Sequence, residues 1–262
     1  MSETTTIGPP PLPPPPLPPL PPPQPTRTLG VWGTFGWALL AFLLAQAIGT
    51  AVVFIGFPEH LPSTTSMRYG GTLVALVTLV TNPVLVALFA AIARWRTGAS
   101  ASEYLGLTRF TWREFLIGFL AIAVFAGASD LFNSLIGIDI VPPFQTEVFT
   151  SVGDTGWLIA LALAIVVVGP IGEEVMFRGF LFRGWVAPGL RGAVAIAVIS
   201  VLWALLHVQY AWVQITQIFL IGLILGWIRW RSGSTSLTMV LHILVNLEST
   251  IETFVKIGWP LS

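Results

Sequence analysis

Long apolar runs separated by short polar breaks make up most of this chain. A bilayer-crossing helix takes ~20 residues, and runs of about that length lie near 32–56, 71–93, 114–136, 156–186, 191–208, 212–230 and 235–256. The pattern predicts an all-α fold, a polytopic transmembrane helical bundle of about seven spans. The fourth run, 156–186, is long enough for one tilted, kinked helix or for two joined half-helices. Pro170 removes a helical hydrogen bond inside it, and Gly169 and Gly172 weaken the helix further, so a kink is expected just before Glu173.

The start of the chain reads differently. Thirteen of the 21 prolines fall between Pro9 and Pro25, a composition that favours polyproline II or disorder. No basic stretch leads into an apolar one here, so the segment does not read as a signal peptide. The expected organisation is a disordered proline-rich cytoplasmic tail at 1–28 and a transmembrane helical domain at 30–262. The tail could bind a proline-recognising domain, and a solvated tether is the simpler reading.

Composition narrows the class. The chain is 55% apolar and 9% charged, with a mean hydropathy of +0.84, whereas soluble domains carry about 25% charged residues. Net charge is zero, which argues against nucleic acid as a partner. The absence of cysteine removes thiolate nucleophiles, disulfides and cysteine-based metal sites.

Basic residues set an expected orientation. With a cytoplasmic N-terminus, the inner side receives Arg27, Arg94, Arg96, Arg109, Arg113, Arg183, Arg191, Arg229 and Arg231, and the outer side Arg68 and Lys256. That bias follows the positive-inside rule and suits an integral protein of the cell (plasma) membrane. Most tryptophans lie near span ends, as in an aromatic belt; Trp203 lies deep within its span.

Polar groups inside the spans are the candidate chemistry, because charge at membrane depth is costly and marks functional sites. Glu173, Glu174 and Arg178 share the fourth span. Trp203 and His207 stand four residues apart in the fifth, and His242 and Asn246 four apart in the last. Such pairs share a helix face, and Glu174 and Arg178 could neutralise each other. Counting from the turn at Ala187–Leu190 puts Glu173 and His207 at similar depth. His242 fits that layer less well, unless the last span begins with several buried residues. His60 reads as a solvated loop residue. Asp130, Glu248 and Glu252 read as interfacial or structural, with Lys256 four residues beyond Glu252.

A carboxylate beside a histidine can hold and deprotonate a water, and low dielectric favours proton uptake by a carboxylate. A second histidine and an asparagine could donate to an oxyanion. Alternatively, Glu173, His207 and His242 could ligate Zn²⁺ with one position open for water. Both arrangements hydrolyse an amide, and spacing alone does not choose between them. A coupled transporter would instead need inverted repeats and polar pore-lining positions, which the apolar spans lack.

Taken in order, Glu173-Glu174-x-x-Phe177-Arg178-Gly179, Trp203-x-x-x-His207 and His242-x-x-x-Asn246 resemble the CPBP family of intramembrane proteases. These include CAAX prenyl proteases of the Rce1 type and bacteriocin-processing or immunity (Abi) proteins. The motifs span 156–256, which the resemblance makes the protease core. Trp203 stands where phenylalanine is commoner. The resemblance implies that Glu173 and His207 activate water and that His242 and Asn246 stabilise the oxyanion, with Glu174, Arg178 and Trp203 in support. It further implies an intramembrane endopeptidase acting on a membrane peptide or lipidated protein within the lipid bilayer. No cofactor is obligatory in that reading, zinc remains the alternative, and a non-catalytic immunity or scaffold role is the competing class.

Overall fold

The computed structural model describes residues 29–60, 70–152, 155–186 and 192–258, with backbone alone at His60 and Thr155. The proline-rich tail, Arg27, Arg68, Asp154, the Ala187–Leu190 turn, Arg191 and Trp259 lie outside the described residues, as does the side chain of His60.

Among the described residues every regular element is helical. In chain order they are α1 (Gly30–Gly56), α2 (Gly71–Thr97), α3 (Ala101–Leu105), α4 (Trp112–Leu135), α5 (Pro143–Thr150), α6 (Gly156–Val186), α7 (Gly192–Leu205), α8 (Trp212–Ser232) and α9 (Thr235–Ile257). Five of these, α1, α2, α4, α6 and α8, are long and apolar enough to cross a membrane. α9 is 23 residues long and carries Glu248, Glu252 and Lys256. α7 is apolar, with 14 residues described. The chain is an integral membrane protein, and its seven longest helices sit on the seven apolar runs. The short α3 and α5, lying between spans, have no counterpart in the apolar pattern.

Small residues let the helices approach. α1 buries Thr34, Ala38, Ala41, Ala45 and Gly49 along one stripe, and a Cβ at Gly49 would collide with Thr81 of α2. Close backbone contact of this kind is what drives helix association where lipid competes for apolar surface. α4 starts at a capping box, in which the Thr111 hydroxyl accepts from Glu114 N–H and the Glu114 carboxylate accepts from Thr111 N–H.

The loop ahead of α4 ties down the start of α9. Ser234 Oγ donates to Thr108 O at 2.8 Å, Thr235 N–H to Gly106 O at 2.8 Å, and Thr235 Oγ1 to Leu105 O at 2.6 Å. Ser234, Thr235, Leu237 and Thr238 are all buried as a result. The first turn of α9 is therefore inside the protein, which carries His242 deeper than a count from the loop allows.

α6 does not break at Pro170. Two π-helical turns, Ala164–Val168 and Val175–Leu181, flank a short α-helical stretch, Gly169–Glu174. The weakening expected at Pro170 takes the form of a shift in hydrogen-bond register. Gly169 N–H bonds to Ala164 O instead of Ile165 O, and Pro170 has no N–H to offer. The Ile165 carbonyl accepts instead from Asn246 Nδ2 at 2.8 Å. In the second π turn Phe182 N–H reaches Phe177 O, and the Arg178 carbonyl accepts from Arg229 Nε at 2.9 Å. Arg229 is consequently buried in the last turn of α8, although the basic pattern places it in a loop. π turns concentrate at functional sites, and here they bracket both glutamates.

Candidate active site

Adjacent in sequence, Glu173 and Glu174 meet opposite surroundings because successive helical residues point about 100° apart. Glu174 is fully buried. Its Oε1 accepts from Arg178 Nη1 at 2.8 Å and faces His242 Nδ1 at 3.0 Å. Arg178 is also enclosed: Nη2 donates to Gly222 O at 3.3 Å, and the guanidinium carbon lies 4.4 Å from the centroid of the Trp203 ring. A buried arginine left alone would cost several kcal/mol, so the carboxylate and the aromatic face are its compensation.

Glu173 is half-buried and lines open space. Its Oε2 accepts from Trp203 Nε1 at 2.6 Å. The Trp203 ring packs edge-on against both histidines, with centroids 5.4 Å from His207 and 5.2 Å from His242. One tryptophan thus orients the carboxylate, covers Arg178 and separates the two imidazoles.

His207 stands beyond the last helical residue of α7, Leu205, rather than inside the span. Its N–H bonds to Ala204 O, and its Nδ1 lies 2.9 Å from Trp203 O. A carbonyl can only accept, so Nδ1 carries the proton and the neutral ring presents Nε2 as an acceptor. His242 Nδ1 donates to a carboxylate, and its Nε2 carries a proton only as the imidazolium. Asn246 uses one N–H on Ile165 O and keeps a second.

A cavity of about 220 Å³ brings Glu173, Trp203, His207, His242 and Asn246 to one wall. A second, of about 240 Å³, reaches Glu173, Trp203 and His207 from the side of Gln46 and Asn82. Glu173 therefore borders space on two sides. Tyr210, outside any motif, also lines the first cavity and stacks near His207 with ring centroids 6.1 Å apart. The only sequence signal for it is a polar aromatic three residues after a histidine, which is weak.

Glu173, His207 and His242 are the metal-ligand set expected from the sequence. Among the described residues, the side chains whose ligand atoms lie within 4.8 Å of one another are Asp130, Glu248 and Glu252. His207 Nδ1 is already engaged by Trp203 O, and His242 Nδ1 by Glu174. As arranged, the Glu173, His207 and His242 donors do not converge on one ion. The acidic trio lines the same 220 Å³ cavity. Lys256 does not pair with Glu252, its neighbour four residues back, but with Asp139 at 3.0 Å.

Residues 155–247 match the protein-family model described as Rce1-like, type II CAAX prenyl endopeptidase Rce1-like. Neither a curated protein nor a solved structure matches the chain.

Proposed function

We infer the activity from two premises: the chain belongs, through residues 155–247, to the Rce1-like family of CAAX-type membrane endopeptidases, and its two adjacent glutamates have opposite surroundings. We propose an intramembrane endopeptidase that hydrolyses a peptide bond of a lipidated or membrane-inserted substrate. The observation that carries it is the contrast between Glu174, fully buried on Arg178 and His242, and Glu173, which faces two cavities beside His207.

In this mechanism a water lies between Glu173 and Nε2 of His207. Both are acceptors, so each takes one water hydrogen and the oxygen lone pair points toward the substrate carbonyl carbon. Attack forms the C–O bond while Glu173 takes the proton; the carbonyl π electrons move to oxygen. The free N–H of Asn246, and His242 when doubly protonated, donate to that oxyanion. Collapse breaks the C–N bond, and Glu173 returns the proton to the leaving amine. Glu174 and Arg178 hold His242 and Trp203 in place. No step passes through a metal. The segment 156–256 is the protease core in this reading, the arginine-rich end faces the cytoplasm, and the membrane is the plasma membrane.

The test is substrate trapping with Glu173→Gln, expressed as the full chain. A peptide that accumulates on the variant, is identified by mass spectrometry and is cleaved by the wild-type protein supports the proposal. Undiminished cleavage by Glu173→Gln overturns it.

A further inference from the structure

At the arginine-rich end of the bundle, a cavity of about 370 Å³ opens between the first turns of α4 and the last turns of α8. It is separate from the two cavities at Glu173. Arg113 and Arg231 stand on its wall with Ser232, while Ile117 and Trp227 form an apolar side. Neither guanidinium has a hydrogen-bond or ion-pair partner among the described residues.

Two other arginines at this end are committed elsewhere. Arg229 donates to Arg178 O, and Arg96 lies over the Trp37 and Trp95 rings. Among the described residues the carboxylate on the cavity wall is that of Glu114, which is turned to the helix cap, where it accepts from Thr111 N–H at 2.7 Å and from the Thr111 hydroxyl at 2.8 Å. Two positive groups thus face this space without an ion-pair partner among the described residues.

The surroundings say what could fill it. Ile117 is 46% exposed and Trp227 43% exposed, on helices that face hydrocarbon. Exposed Trp112 and Trp230 mark the level of the headgroups. A free phosphate would satisfy the guanidiniums but gain nothing from the apolar side. An amphiphile satisfies both. Guanidiniums match phosphate oxygens in a fork geometry, and basic pockets between transmembrane helices take anionic headgroups.

We propose that this cavity binds an anionic phospholipid, its phosphodiester on Arg113 and Arg231 and an acyl chain along Ile117 and Trp227. The site is independent of the cleavage chemistry.

Native mass spectrometry of the full chain in detergent, titrated with phosphatidylglycerol, phosphatidylcholine or inorganic phosphate, tests it. The wild-type protein should retain phosphatidylglycerol in preference to phosphatidylcholine, and millimolar phosphate should not displace it. Each arginine near a membrane surface contributes roughly fivefold, so Arg113→Ala with Arg231→Ala should weaken retention by about twenty-five-fold. The charge-matched control, Arg94→Ala with Arg109→Ala, should change it by less than about twofold. Equal loss in both pairs would mean a diffuse surface field and would overturn the proposal, as would displacement by inorganic phosphate. If the double variant does not fold, the single variants Arg113→Gln and Arg231→Gln, each expected to lose about fivefold, decide the matter.

Discussion

The side-chain amide of Asn246 donates to the backbone carbonyl of Ile165, 2.8 Å away on a different helix. That carbonyl has lost both of its candidate helical donors, one to the π register at Gly169 and one to the missing N–H of Pro170. A residue from the reactive motif of α9 therefore completes the backbone of α6, and the same residue retains the N–H proposed for the oxyanion.

This relationship predicts coupling. Asn246→Ala leaves a buried carbonyl unsatisfied and should destabilise the protein by about 1–3 kcal/mol. Pro170→Ala restores a backbone donor, so in that background the loss should shrink by about 1 kcal/mol or more. Thermal unfolding in detergent across the four proteins measures it. Additive effects would mean that the two residues do not share the carbonyl.

The two glutamates should part company under substitution. Glu174→Ala strips buried Arg178 of its counter-charge and is expected to cost about 3–5 kcal/mol, enough to lower the yield of folded protein sharply. Glu173→Ala should stay within about 1 kcal/mol of the parent in stability while cleavage of a lipidated peptide falls by at least ~100-fold. Similar melting curves for the two variants would contradict the division.

Trp203 separates donor from filler. Trp203→Phe loses the indole N–H held by Glu173 but keeps a ring against Arg178 and both histidines, so cleavage should drop by no more than about tenfold. Trp203→Ala opens a hole among these groups and should cost about 3–5 kcal/mol of stability. Activity and melting temperature measured on the same preparations distinguish the two losses.

Because Glu173, His207 and His242 do not converge on an ion, cleavage should survive metal removal. Protein dialysed against chelator, with its metal content determined by elemental mass spectrometry, should keep activity within about twofold. Loss that zinc alone restores would show that the donors rearrange around a metal.

Much of the architecture was legible because apolar run length is a direct consequence of the bilayer. The motif residues were legible because charge amid hydrocarbon is rare and the i, i+4 spacing places pairs on one face; the Glu174–Arg178 pair follows from that alone. The π turns were not legible. Their register depends on Asn246 and Arg229, which arrive from helices far away in sequence. His207 read as lying within its span because Leu205 and Leu206 are apolar, yet the helix ends before it. The depth of His242 was misjudged from the loop because Ser234 and Thr235 bond to the loop at 105–108 and drag a polar turn inward. The Lys256–Asp139 pair bridges 117 positions of chain, beyond the reach of any local spacing rule.

The shortness of α7 bears on the membrane itself. Its fourteen described residues cover roughly 21 Å, against a hydrocarbon layer of ~30 Å. Lipid beside this helix meets a hydrophobic mismatch, and thinning the bilayer is the inexpensive response. Thinning there, beside the end of α7 where His207 stands, would bring solvent toward the carboxylate. Vesicles of shorter-chain lipid should accordingly support faster cleavage than those of longer-chain lipid with the same headgroups.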